Sequence, residues 1–156
     1  MCGIFGGYGI SFDECNEAIK LIKRGEDGIT TQMLDNKVIF ASRRHLVKKS
    51  GKESEDNLSD QPYYSEDKKI ALIFNGEFYN YKTYRDDLEK KGIKFNSIGD
   101  TEVFLKMYEN QGIKFVYDKN IESLYAIAIF DSKKNKMFIS RDWPGRIPLY
   151  FYKDDQ

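Results

Sequence analysis

Cysteine and histidine are the scarce residues of this chain, two of the first and one of the second in 156 residues. Cys2 and Cys15 can build neither a disulfide framework nor a CxxC pair, which suits a reducing compartment. With His45 as the sole imidazole there is no cluster of His and Cys, so no zinc or iron site is expected. An excess of one charge is missing too. Lys and Arg total 25 and Asp and Glu total 25, whereas a binder of nucleic acid or of an anionic membrane carries a basic excess. Neither partner is expected. No apolar run approaches a membrane span, and the first residues lack the basic and apolar regions of a signal peptide, so the expected location is the cytoplasm. The phosphate-cradling patterns GxxxxGK[ST] and GxGxxG are also absent, because the glycines after Cys2 fit neither spacing.

What the chain has in plenty is aromatic bulk, eleven Tyr and eleven Phe, enough for a core in one domain of this length. GIFGGYGI (3–10) reads as a strand opening onto a turn. Ser11 followed by Glu14 forms a capping box, Ala18, Ile19 and Ile22 recur at helical spacing, and Gly25 is the expected stop. ITTQML and KVIFAS around Asp35-Asn36 read as a hairpin. The stretch 48–62 is polar throughout and reads as an exposed excursion. KIALIFNGE reads as a strand running into a turn, followed by a helix ended by Gly92 and a second helix capped by Asp100 and ended by Gly112. LYAIAIFD (124–131) is apolar on both alternations and must therefore be covered on both faces. With SKKN as its turn it pairs with KMFISRD. Helices grouped between strands fit an α+β domain of antiparallel sheets rather than simple βαβ alternation.

Cys2 lies in MCGIFGGYG, one residue from the start of the chain. Read alone, it suits a small buried side chain on the first strand. It also suits a nucleophile. Initiator methionine is commonly removed before a small residue, which would leave Cys2 with a free α-amino group. Such an amine titrates at roughly 7.7–8.0 and a cysteine thiol at about 8.5, both near cytoplasmic pH. An N-terminal amine can then serve as base for its own side chain. His45, at the end of a strand pattern, is more simply a structural residue.

Taken in chain order, MCGIFG, RGEDG, SRR, DQP, NGEFYNY, GDTEVFL, FD and RDWPGRIPLY resemble the glutaminase domain of class II glutamine amidotransferases. Within that family they are most similar to the N-terminal domain of glutamine-hydrolysing asparagine synthetases. The resemblance implies an N-terminal nucleophile hydrolase fold, a four-layer αββα sandwich, and one glutaminase domain over residues 1–156. It implies that Cys2 attacks the side-chain amide of glutamine to form a thioester. Asn75, through its side-chain amide, and Gly76, through its backbone N–H, would form the oxyanion hole. Arg44 would grip the substrate α-carboxylate, as a planar fork suits a planar anion. Glu77 and Asp100 would accept from the α-ammonium, and Val47 would belong to the segment that closes over the substrate. Ammonia would pass to a synthetase domain or subunit. ATP and Mg belong to that synthetase unit, and no cofactor is implied here. Its SGGxDS-type loop has no counterpart in this chain, since SGKES (50–54) does not match. A homodimer is compatible with the resemblance.

Some of these residues admit a second reading. Gly76 also suits a tight turn, Arg43-Arg44 also suits a solvated basic pair, and a slip of one residue would put Arg43 in the carboxylate role. KRGEDG stands where the family usually has HRGPD, SRRHL puts His45 where a leucine is usual, and RDWPGRIPLYF brings in Pro144. Sugar-phosphate and phosphoribosyl amidotransferases share the Cys and NG motifs, and a catalytically silent amino-acid or partner-binding domain is a further alternative. YNY after NGE and the RD…G…PLY ending favour the synthetase branch.

Overall fold

In the computed structural model, residues 2–45 and 60–154 are described; Val47 and most of the polar excursion fall outside them. Ser11 opens the first helix, α1 (Phe12–Leu21), with the capping box its sequence predicts. The Glu14 N–H donates to Ser11 Oγ at 3.2 Å, and the Ser11 N–H donates to Glu14 Oε2 at 2.8 Å. The helix ends at Leu21, four residues before Gly25. What holds that end is Arg43, whose guanidinium donates to the carbonyls of Lys20, Ile22 and Gly25 at 3.3, 2.6 and 3.1 Å. Gly25 is required for a different reason: a Cβ there would sit 2.3 Å from the Arg43 carbonyl oxygen.

Strands β1 (Gly3–Tyr8), β2 (Gly28–Asp35) and β3 (Val38–Arg44) form an antiparallel sheet in the order β1-β3-β2. The predicted β2–β3 hairpin is present, with its turn at Asn36–Lys37, one residue later than the sequence suggests. Alternation along β3 divides its side chains. Ile39 and Ala41 pack under Cys15 and Ile19 of α1, while Val38 and Phe40 point the other way.

The second sheet has the order β4-β5-β6-β7, antiparallel throughout: β4 (Tyr63–Tyr64), β5 (Ile70–Phe78), β6 (Ser123–Asp131) and β7 (Lys136–Arg141). One face of β5 and β6 is covered by α2 (Tyr81–Lys90), α3 (Asp100–Gln111) and the 3₁₀ segment Gly112–Tyr117, the last unheralded in the sequence. The other face sets Ala71, Ile73, Ala128 and Phe130 against Val38 and Phe40 of the first sheet. Helix, sheet, sheet and helix thus stack in four layers, and the doubly apolar β6 is covered on both sides. Burial on both faces leaves its register weakly specified by hydrophobicity. Polar groups at its two ends fix it instead. Asp131 accepts from the Tyr108 hydroxyl and Lys134, both at 2.8 Å, and Asp142 just past β7 accepts from the Tyr125 N–H at 3.4 Å.

Candidate active site

Phe74 and Phe78 pin the stretch between them. Both rings turn toward the helices and meet Phe104 of α3, with centroid separations of 5.2 and 4.5 Å. Aromatic pairs of this kind contribute roughly 0.5–1.5 kcal/mol each beyond the area they bury. With alternate residues locked on the helical side, Asn75 and Glu77 fall on the face toward the first sheet. Asn75 is buried, and its Oδ1 has no hydrogen-bond partner among the described residues. Glu77 is exposed.

Gly76 corrects the sequence reading. The strand does not turn at NGE but continues to Phe78, and Gly76 pairs with Tyr125 of β6. Its φ is 157°, and a Cβ would lie 1.9 Å from the Leu124 carbonyl oxygen. The missing side chain serves close approach of two backbones, not a turn. The RDWPG stretch supports the same place, because the Asp142 carboxylate also accepts from the N–H groups of Arg146 at 2.9 Å and Ile147 at 3.2 Å. Gly76→Ala is therefore expected to lower stability by at least about 1–3 kcal/mol, the usual scale of local backbone strain, read as a drop in urea midpoint.

The first sheet supplies the other half. Ile4 packs between the sheets and Phe5 toward α1, so the β1 alternation carries Cys2 to the inter-sheet face. Cys2 is half-buried and lies against the main chain of His45: the His45 N–H donates to Sγ at 3.4 Å, and the His45 carbonyl oxygen is 4.0 Å away. Arg43 and Arg44 separate cleanly. Arg43 is committed to the end of α1 as described, whereas Arg44 follows Phe40 and Ser42 on the inter-sheet face and ion-pairs with Asp60. Gln61 joins the two halves. Its carbonyl accepts from Ser42 Oγ at 3.1 Å and its Oε1 accepts from the Phe74 N–H at 2.7 Å, which sets the end of β3 beside the Asn75 end of β5.

Asp100 stands at the same end of β5. It is the first residue of α3, and Gly99 is the N-cap, contrary to the sequence reading. The carboxylate is used across the fold: Oδ2 accepts from the Phe78 N–H at 3.0 Å. Burial pushes the Asp100 carboxyl above the usual carboxylate range, the hydrogen bond from Phe78 opposes this, and the Glu77 charge adds to it. Gln61 thus sets the end of β3, which carries Arg44 and leads to His45 beside Cys2, next to the stretch of β5 that carries Asn75, and Asp100 stands at the Phe78 end of that strand. Asp60, Gln61 and Asp27 were not singled out from the sequence as site residues; DQP and RGEDG were the available signals. Cys15, packed under α1, is elsewhere, and burial pushes its thiol up. Among the described residues no group of three or more His, Cys, Asp or Glu could hold a metal, and no helix is long and apolar enough to cross a membrane.

Comparisons with known proteins bear on the family and the fold. Residues 1–156 match the family model described as a glutamine amidotransferase domain. The chain is 32% identical over 162 residues to asparagine synthetase B [glutamine-hydrolyzing] of Escherichia coli (strain K12), covering 99% of this chain and 27% of that protein. It is 34% identical over 160 residues to asparagine synthetase [glutamine-hydrolyzing] 2 of Bacillus subtilis (strain 168), covering 97% of this chain and 20% of that one. The chain therefore spans about a quarter or less of the length of these relatives. Among solved structures, glutamine phosphoribosylpyrophosphate amidotransferase from B. subtilis superposes with a TM-score of 0.65 at 19% identity, covering 91% of this chain and 37% of that chain. That likeness establishes the N-terminal nucleophile hydrolase fold. With its sandwich of antiparallel sheets, a cysteine at the head of β1 and a family match along its whole length, the chain belongs to the glutamine amidotransferase domain family.

Proposed function

We propose that the chain, once Met1 is removed, hydrolyses the side-chain amide of glutamine to glutamate and ammonia with Cys2 as nucleophile. The α-amine of Cys2 takes the thiol proton and the thiolate attacks the amide carbon. Charge then develops on the amide oxygen, where the Asn75 side chain and the Gly76 N–H serve as donors. The α-ammonium of Cys2 returns its proton to the departing nitrogen, which leaves as ammonia. Water then opens the thioester, releasing glutamate and restoring the thiol. Arg44 holds the substrate α-carboxylate, sharing its guanidinium with Asp60 or exchanging one carboxylate for the other. Glu77 and Asp100 hold the α-ammonium. Every step uses groups of this chain, so no metal or cofactor is assigned to the domain. ATP and Mg belong to the synthetase unit that consumes the ammonia. Similarity to asparagine synthetases favours asparagine formation there, in the cytoplasm.

The observation that supports this reading is the Gln61 bridge from Ser42 of β3 to Phe74 of β5, which sets the strand end carrying Arg44, with Cys2 against His45, beside the stretch carrying Asn75. The test is an assay of Met1-free protein, verified by intact mass, for equal amounts of glutamate and ammonia from glutamine. Absence of both products overturns the reading.

Asp100 allows a sharper prediction. Its folded-state carboxyl is raised, so the native state holds the proton more tightly than the unfolded chain. Asp100 thus disfavours folding progressively as pH rises from its unfolded into its raised native range. Asp100→Asn, which keeps an acceptor for the Phe78 N–H, is expected to be at least as stable as the wild type at neutral pH. It should nonetheless raise KM for glutamine about 10- to 100-fold, the cost of an ammonium left without its carboxylate. In the wild type KM should climb on acidification at a higher pH than an ordinary carboxylate would give. Urea titration and KM against pH check both arms.

A further inference from the structure

A departure from the family pattern meets a retained residue in space. His45 stands where a leucine is usual, and the RGEDG loop holds Asp27. In the structure His45 Nδ1 lies 3.4 Å from Asp27 Oδ2, while the backbone N–H of the same histidine donates to Cys2 Sγ at 3.4 Å. The Asp27 N–H also donates to the Arg44 carbonyl at 3.0 Å, so the loop is tied to the end of β3 by main chain and side chain together. Gly25, two residues earlier, packs directly on the Arg43 carbonyl and leaves that loop little freedom.

We propose that His45 is a positioning residue for the nucleophile: the Asp27–His45 contact holds the His45 peptide so that its N–H receives the Cys2 thiolate. A free thiol can donate toward the His45 carbonyl, 4.0 Å away, and a thiolate can only accept. The N–H at 3.4 Å is placed for the second state. A hydrogen bond to the charged form favours that form, and the thiolate is the reactive one. A leucine has the same N–H but no group to tie it to the loop. Among the described residues, the charged and titratable groups around His45 are Asp27 before β2, Cys2 before β1, and Arg44 next to it on β3 with its partner Asp60. Of these, Asp27 contacts the imidazole itself. This inference extends the proposed role of Cys2 as nucleophile, but its readout does not require glutamine.

The experiment measures the rate of Cys2 alkylation by iodoacetamide in Met1-free protein, followed by peptide mass. Cys15 is fully buried and serves as the internal unreactive thiol. His45→Leu and Asp27→Asn are each expected to slow Cys2 alkylation about five- to tenfold, and the double variant no further than either single. His45→Gln, which keeps a side-chain donor toward Asp27, should recover most of the wild-type rate. Single-variant rates within twofold of wild type, or losses that multiply in the double variant, overturn the proposal. Should Asp27→Asn fail to fold, the half-exposed His45 still decides through His45→Leu and its rescue by His45→Gln. Failure of glutamine hydrolysis with an intact alkylation difference would refute the glutaminase reading alone. Normal hydrolysis with no alkylation difference would refute the positioning role alone.

Discussion

Cys2→Ala is expected to lower glutamine-dependent ammonia release by about 10⁴-fold or more, while the urea midpoint moves by less than about 1 kcal/mol in equivalent stability. The size of the loss follows from chemistry rather than from packing. Cys2 is half-buried at the head of β1, and among the described residues its side chain meets the main chain of His45. Removing sulfur thus leaves the core clusters intact. No other described side chain is placed to make a thioester. Cys15 is the only other thiol, and it is packed under α1 with Ile19, Ile39 and Ala41. Glutamine binding should survive in the variant, because Arg44, Glu77 and Asp100 are untouched. Residual turnover above a hundredth of wild type would show that another group does the attacking.

Much of this site could be read from the sequence, for definable reasons. Strong local signals matched the fold closely: the Ser11–Glu14 capping box, the SKKN turn and the two glycine helix stops at Gly92 and Gly112 depend on neighbours in sequence. The apolar alternation of β6 correctly demanded two covered faces. What escaped was set by contacts between distant segments. Gly76 looks like a turn residue until the Leu124 carbonyl is found where its Cβ would go. Asp100 looks like an N-cap until its carboxylate is found on the Phe78 N–H. Helix α1 stops early because Arg43, about twenty residues on, supplies the donors its last carbonyls need. Adjacent arginines are equivalent in composition, and only the strand alternation tells them apart. Gln61 stands in for a longer β4 by taking the Phe74 N–H, a function no local pattern announces.

Asn75→Ala should separate catalysis from binding most sharply. We expect kcat to fall about 10²- to 10³-fold, or roughly 2.7–4 kcal/mol of transition-state stabilisation, with KM changed only a few-fold. Glutamine has a neutral carbonyl in its ground state, and the donor gains most when that oxygen becomes an anion. Stability should move the other way from the usual core truncation. The Asn75 Oδ1 is buried without a partner among the described residues, an arrangement that costs about 1–3 kcal/mol. Alanine removes that orphaned acceptor along with the donor, so the urea midpoint should hold or rise even as turnover collapses. Asn75→Asp keeps the size of the side chain but sets a carboxylate where negative charge must accumulate, and it should turn over more slowly than the alanine variant. A KM rise with kcat preserved would make Asn75 a ground-state binding residue. A large loss of stability on truncation would make it an ordinary core amide. The combination of lost turnover and retained stability is what a donor held in place for a charge not yet present should give.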